Sequence, residues 1–214
     1  MNAFLQRFIR VYQEVKWLLW PFIVIVLTVL SIRMIVTRQQ AYFFINKLHT
    51  PAGDLIFPYI TQLGSVSAAV LISLLLLLIS KRKGAMLATA YLFTSAISFS
   101  LKALVGFPRP HRYFAAQLHD IYFVPGVAVL DNFRSFPSGH SVCAFTAATV
   151  LSYYTKNKYW SLLYLGLALL VGYSRMYMSQ HFLEDVTAGA SLGVFFSMVW
   201  ISLFKAKTAP VSGQ

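Results

Sequence analysis

The chain has 214 residues, of which 58% are hydrophobic and only 11% charged, against roughly 25% charged in an ordinary soluble domain. Its mean hydropathy is +0.66. So apolar a chain cannot cover a water-facing surface, which excludes a soluble globular enzyme, a disordered tail and a disulfide-stapled mini-protein, and points to a multi-span membrane protein.

The net charge is +12, from 18 Lys and Arg against 6 Asp and Glu. Ten of these cations sit between or beyond apolar runs, where they meet anionic head groups and set orientation. No basic stripe with interleaved aromatics lies outside those runs, so nucleic acid is not an expected partner. The single cysteine, Cys143, has no internal partner for a disulfide and lies in an apolar run, where it reads as packing.

Residues 1–16 place Phe4, Phe8, Tyr12 and Val15 at helical spacing, with Arg7, Arg10 and Glu14 between them. That pattern predicts an amphipathic helix lying in the cytoplasmic interface. Six apolar spans follow, at 17–37, 62–80, 85–106, 138–155, 159–177 and 183–204, each near the ~20 residues that cross the hydrocarbon core. The first has too long an apolar core for a signal peptide and no small-residue cleavage site after it, so it reads as an uncleaved span. Residues 38–61 and 107–137 read as two long outer loops, and the tail 208–214 as disordered. The expected fold is all-α, a single domain over 1–214.

Arg7, Arg10 and Lys16, then Lys81, Arg82 and Lys83, then Lys156 and Lys158, then Lys205 and Lys207 alternate correctly for six spans with both termini on one side. By the positive-inside rule that side is the cytoplasm. Tyr153, Tyr154, Tyr159 and Trp160 suit the aromatic belt there.

The polar residues of chemical interest fall elsewhere, in three clusters: K-A-L-V-G-F-P-R-P at 102–110, F-P-S-G-H-S at 136–141, and S-R-M-Y-M-S-Q-H-F-L-E-D at 174–185. Parity of the spans puts all three at the outer face. Ionisable groups at a bilayer edge are costly and mark function by default. Lys102, Arg109 and Arg175 supply three positive charges suited to phosphate oxygens. Ser138, Gly139 and His140 open a helix, whose exposed N–H groups bind anions, and Gly139 lets a bulky phosphate come close. His181 and Asp185, four apart, share a helical face. The carboxylate can take the Nδ1–H and leave Nε2 as a nucleophile, with His140 as general acid and later base. The alternative, half of a metal site, is opposed by the three cations nearby.

K-x6-R-P, P-S-G-H and S-R-x5-H-x3-D, in this order and on this topology, resemble the signature of the type 2 phosphatidic acid phosphatase superfamily. The resemblance implies a helical bundle, a phosphohistidine intermediate on His181, no metal and no cofactor. It also implies phosphate-binding roles for Lys102, Arg109, Ser138, Gly139, His140 and Arg175. The implied substrate is a lipid phosphate or diphosphate in the bilayer: a polyprenyl diphosphate, a lipid A phosphate, phosphatidylglycerol phosphate or phosphatidic acid. A lipid phosphotransferase would share the site, and intramembrane charges also occur in transporters and channels.

The remaining polar residues read more plainly. Glu184 is expected to face the loop as a solvated carboxylate, and Arg33 and Arg38 to anchor the outer end of the first span. His111, Arg112, His119 and Arg134 are either head-group contacts or solvated loop residues. The apolar segment FAAQLHDIYFVPGVAVL is expected to lie on the membrane as a flap.

Overall fold

The computed structural model describes residues 3–204. Among these the secondary structure is entirely helical: α1 (Ala3–Ile35), α2 (Arg38–Asn46), α3 (Pro51–Ile60), α4 (Val66–Ile79), α5 (Lys81–Val105), α6 (Pro110–Tyr113), α7 (Gly139–Tyr154), α8 (Tyr159–Tyr177) and α9 (Leu183–Leu203), with 3₁₀ turns at Thr61–Gly64 and Ala115–Asp120. The expected all-α architecture is therefore observed. Lys205, Lys207 and the tail 208–214 lie outside the described residues.

α1, α9 and α5 with the short turn after it (Lys81–Tyr113) are long and apolar enough to cross a membrane. The pair Pro51–Gly64 and Val66–Ile79, bent by 56°, makes a fourth such unit if counted as one broken span. The break falls where Thr61–Gly64 tightens into a 3₁₀ turn and Ser65 restarts the helix, its hydroxyl accepting from Ala68 N–H.

Two expectations change. The N-terminal 16 residues do not form a separate interfacial helix: α1 runs unbroken from Ala3 to Ile35, with Pro21 inside it. Val11, Val15, Leu18 and Phe22 recur at helical spacing across the expected boundary and are all buried. One continuous stripe packs against the bundle, and that contact outweighs the loss of a single backbone bond at Pro21. The segment 38–61 is not a loop either. Thr37 caps α2 reciprocally with Gln40, and Thr50 with Pro51 starts α3.

α7 is the central helix, packed by α9, α8, α5 and α1. Every residue from Ser141 to Val150 is buried. Its start is held by close backbone approach: a methyl group on Gly189 of α9 would lie 2.5 Å from the Ser138 carbonyl oxygen. Hydrogen bonds also link the helices, Thr146 Oγ1 to Thr94 at 3.0 Å and Trp200 Nε1 to Thr89 at 2.9 Å.

The two ends of the bundle differ in chemistry. At one end Lys158 pairs with Glu14 at 2.6 Å and Lys83 lies over the Tyr154 ring, which brings three of the four basic groups together. At the other end are α2, α3, α6, the 107–137 segment and the α8–α9 turn. That segment is not loose. Asn46 exchanges two hydrogen bonds with Tyr122 (2.8 and 3.0 Å), Gln180 Nε2 donates to the Ala128 carbonyl (3.0 Å), and Tyr122 and Tyr177 both donate to Asp54 (2.6 and 2.7 Å). Its own Phe114, Ile121 and Val124 are buried. The segment is thus folded against α2, α3 and the α8–α9 turn.

Candidate active site

Three short stretches meet at this second end. Pro108 and Pro110 bracket Arg109 after α5, and Ser135–His140 leads into α7. His181 sits in the turn between α8 and α9. The backbone ties them directly: Arg109 N–H donates to Asn132 O (3.0 Å), Ser135 N–H to Phe107 O (3.0 Å), Ser138 N–H to Asp185 O (2.9 Å) and His181 N–H to Arg175 O (3.2 Å).

His181 is 2% exposed and Asp185 2%. The ring has two distinct sides. Nδ1 faces Asp185 Oδ2 at 3.4 Å and Ser135 Oγ at 3.5 Å, and Nε2 lies 3.2 Å from Arg109 Nη1. A guanidinium only donates, so Nε2 must be the acceptor and Nδ1 carries the proton. This is the tautomer in which Nε2 holds the free electron pair. Burial, then the charges of Arg109 and Arg175, push the His181 pKa well below its ordinary 6.5. The ring is thereby kept neutral.

Asp185 Oδ2 accepts from Phe182 N–H at 2.9 Å and from Ser135 Oγ at 2.6 Å, both closer than His181. Ser135 is fully buried and touches both members of the pair. Sequence reasoning missed it. Its only signal was a small polar residue three positions before Ser138, in a stretch otherwise read for P-S-G-H.

The cations are arranged around this pair. Arg109 is 7% exposed and uses Nε on Asn132 (3.1 Å) and Nη1 on Gln180 O (2.8 Å). Arg175, 6% exposed, donates from Nη1 to Thr61 at 3.0 Å, and its Nε has no hydrogen-bond partner among the described residues. A buried guanidinium N–H without an acceptor suits a site for an anion. Lys102 Nζ reaches the carbonyls of Arg134 (2.9 Å), Ser135 (3.4 Å) and Pro137. Ser138 caps α7, and a methyl group added to Gly139 would approach only Lys102 Cε, at 3.9 Å. The helix start is therefore open to a bulky group. His140 borders the same place: it lines a cavity of about 210 Å³ with Lys102, Gly139, Gly64, Ser98 and Phe99.

Every residue nominated from sequence lies at this one end of the bundle. Arg109, Ser138, Arg175, His181 and Asp185 join through direct hydrogen bonds, Lys102 through the carbonyl of Ser135, and Gly139 and His140 through the cavity. Glu184 is a correction. It is not a solvated loop carboxylate but an ion-pair bridge, with Arg33 Nη2 at 2.7 Å and Arg38 Nε at 3.3 Å. Arg38 also lies over the rings of Phe107, Phe182 and Tyr113. The end of α1 brings Arg33, and the start of α2 brings Arg38, to the first turn of α9.

The family model of the PAP2 superfamily matches residues 83–209. The chain belongs to this superfamily. Among curated proteins it is similar to an undecaprenyl-diphosphatase of Sulfolobus acidocaldarius, 33% identical over 121 residues, covering 55% of this chain and 56% of the relative. It is also similar to a lipid A 1-phosphatase of Rhizobium etli, 31% identical over 118 residues, covering 54% and 48%. The matched stretch spans about half the length of these relatives. Among solved structures, LpxE of Aquifex aeolicus superimposes with a TM-score of 0.65 at 31% identity, covering 75% of this chain and 92% of the other. The first transmembrane PAP2-type phosphatidylglycerolphosphate phosphatase from Bacillus subtilis gives 0.57 at 25% identity, covering 90% and 94%.

Proposed function

We propose that this protein is an integral membrane phosphatase that removes phosphate from a lipid phosphate or diphosphate at the extracytoplasmic face, through a phosphohistidine on His181. The observation that carries the reading is the two-sided His181 ring, with Nδ1 toward Asp185 and Ser135 and Nε2 toward Arg109. Such a ring is a nucleophile already in the reactive tautomer, with donors placed where phosphoryl oxygens would gather charge.

In this reading Nε2 attacks phosphorus while Lys102, Arg109, Arg175 and the start of α7 hold the equatorial oxygens. His140 protonates the departing oxygen, and Asp185 balances the charge that develops on the His181 ring. Water then cleaves the phosphohistidine, with His140 as base. No metal is required, because the three cations supply the charge that a divalent ion would supply. The reading takes the six spans in a single domain over 1–214, both termini cytoplasmic and the site outside.

A lipid substrate is supported by the surroundings of the site. The cavity beside Lys102 shares Val66, Ser95 and Cys143 with a second, apolar cavity of about 400 Å³ between α4 and α5. Along α5, Ala88, Leu92, Ser95, Phe99 and Lys102 follow one face, a path of about 21 Å at 1.5 Å per residue. That exceeds the ~15 Å depth of one leaflet's hydrocarbon. At its far end α4 and α5 close on each other, since a methyl on Gly84 would lie 2.5 Å from Leu77 Cγ. A chain extending from a phosphate at Lys102 would lie along this groove.

The test is phosphate release by purified protein in detergent from four substrates: a polyprenyl diphosphate, a lipid A phosphate, phosphatidylglycerol phosphate and phosphatidic acid, with a water-soluble phosphomonoester as control. The reading expects release from at least one lipid, surviving EDTA. Release that chelation abolishes and added metal restores would refute the mechanism. Labelled phosphate recovered on a second lipid would assign a phosphotransferase instead.

A further inference from the structure

The 107–137 segment carries four basic residues besides Arg109. Three have acidic neighbours: Arg112 is bidentate on Asp131 (2.7 and 3.2 Å), His111 Nδ1 lies 3.8 Å from the same carboxylate, and His119 lies 3.5 Å from Asp120. Arg134 has no acidic partner among the described residues. Its guanidinium lies over the Phe99 ring, 5.5 Å from the centroid, and its carbonyl accepts from Lys102.

That seat matters because of what surrounds it. Phe99 and Lys102, one turn apart on α5, both line the cavity that His140 and Gly139 border. Three zones therefore follow one another along a single helix face. Lys102 marks the phosphate site, Phe99 with Arg134 above it comes one turn deeper, and the apolar groove at Ser95 and Ala88 comes last.

We infer that Arg134 forms a second phosphate subsite, which binds the chain-linked phosphate of a lipid diphosphate while the terminal phosphate occupies the site at His181. The inference rests on the proposed phosphatase reading and narrows its substrate to lipid phosphoanhydrides.

Charge agrees with it. Lys102, Arg109, Arg175 and Arg134 against Asp185 leave an excess of three positive charges. Arg33 and Arg38 share the single carboxylate of Glu184 and so add one further positive charge at this end of the bundle. A diphosphate carries more negative charge than a monoester, so it offsets more of this positive excess.

The chemistry balances. His181 Nε2 forms the N–P bond to the terminal phosphorus as the bond from that phosphorus to the bridging oxygen breaks. The electron pair leaves on that oxygen, now part of the lipid monophosphate, which takes the proton of His140, and Arg134 offsets the negative charge that remains. Water then cleaves the N–P bond, giving inorganic phosphate and returning neutral His181, with the proton taken by His140.

Farnesyl diphosphate and farnesyl monophosphate test this, since they share a chain and differ by one phosphate. The variant is Arg134→Gln, in which the backbone bond from Lys102 is retained, with Arg134→Lys beside it. Removing a charge-assisted hydrogen bond that only the diphosphate makes lowers the ratio of kcat/KM for diphosphate over monophosphate by about 10- to 100-fold, and Arg134→Lys lowers it less. A ratio within about threefold of wild type, including an equal loss on both substrates, overturns the inference. Wild-type protein that releases phosphate from neither compound nor from the four-lipid panel would refute the phosphatase reading itself, a separate outcome.

Discussion

Two zones of α5 differ in chemistry, and under the proposed function they would recognise a lipid phosphate in opposite ways. At Lys102 the helix ends among fixed charges, with each donor directed by hydrogen bonds to loops from three other parts of the chain. Some 21 Å away along the same face, near Ala88, the surface between α4 and α5 is mostly apolar and carries no charge. Head recognition depends on individual atoms, so single substitutions should be severe. Tail recognition depends on shape, so it should tolerate exchange of apolar residues and fail only when the groove is filled.

The largest expected effect lies in the charged zone. His181→Ala should abolish turnover while the protein still inserts, and His140→Ala should cost about 10²–10⁴-fold in kcat. Ser135→Ala should lower kcat about 10-fold, because Asp185 loses its closest donor while the phosphate contacts remain; KM should change less. Filling the groove with Ala88→Phe should cost about 10-fold on a long-chain lipid phosphate and far less on a water-soluble phosphomonoester. Equal losses on both would erase the contrast between the zones. Glu184→Gln should be the mildest, changing stability by about 1 kcal/mol or less, because its ion pairs are partly solvated.

The pH profile sharpens the same contrast. A protonated His181 cannot attack, and neighbouring positive charge disfavours its protonation. Burial and the arginines hold its pKa well below 6.5, so the acid limb of kcat/KM in the free enzyme should fall below that value. Arg109→Gln removes one of those charges, raises the His181 pKa and should move the limb upward. A limb unchanged in that variant would mean that Arg109 does not set the state of His181.

The site was more legible in the sequence than its supports. Lys102, Arg109, Arg175, His181 and Asp185 were readable because costly ionisable groups recur at span ends with spacings that chemistry constrains, and Ser138 because it opens a helix beside them. Ser135 was not, since a buried serine acting through Asp185 has no spacing of its own. The start of α9 was misread at Glu184 because its partners, Arg33 and Arg38, come from 146 residues or more away in sequence. The helices α2 and α3 had written signals, Thr37 with Gln40 and Thr50 with Pro51, overlooked beside the stronger hydropathy of the spans. α1 joined what hydropathy divided, because Val11 and Val15 continue the buried stripe of Leu18 and Phe22.

The central claim is that His181 Nε2 carries the phosphoryl group. The most direct measurement is rapid acid-free quenching of the wild-type protein during turnover of a lipid phosphate it accepts, followed by peptide mass spectrometry. The account predicts an acid-labile, base-stable phosphate on the peptide containing His181, absent from His181→Ala and formed equally well in EDTA. Phosphate on another residue, or turnover persisting in His181→Ala, would contradict it.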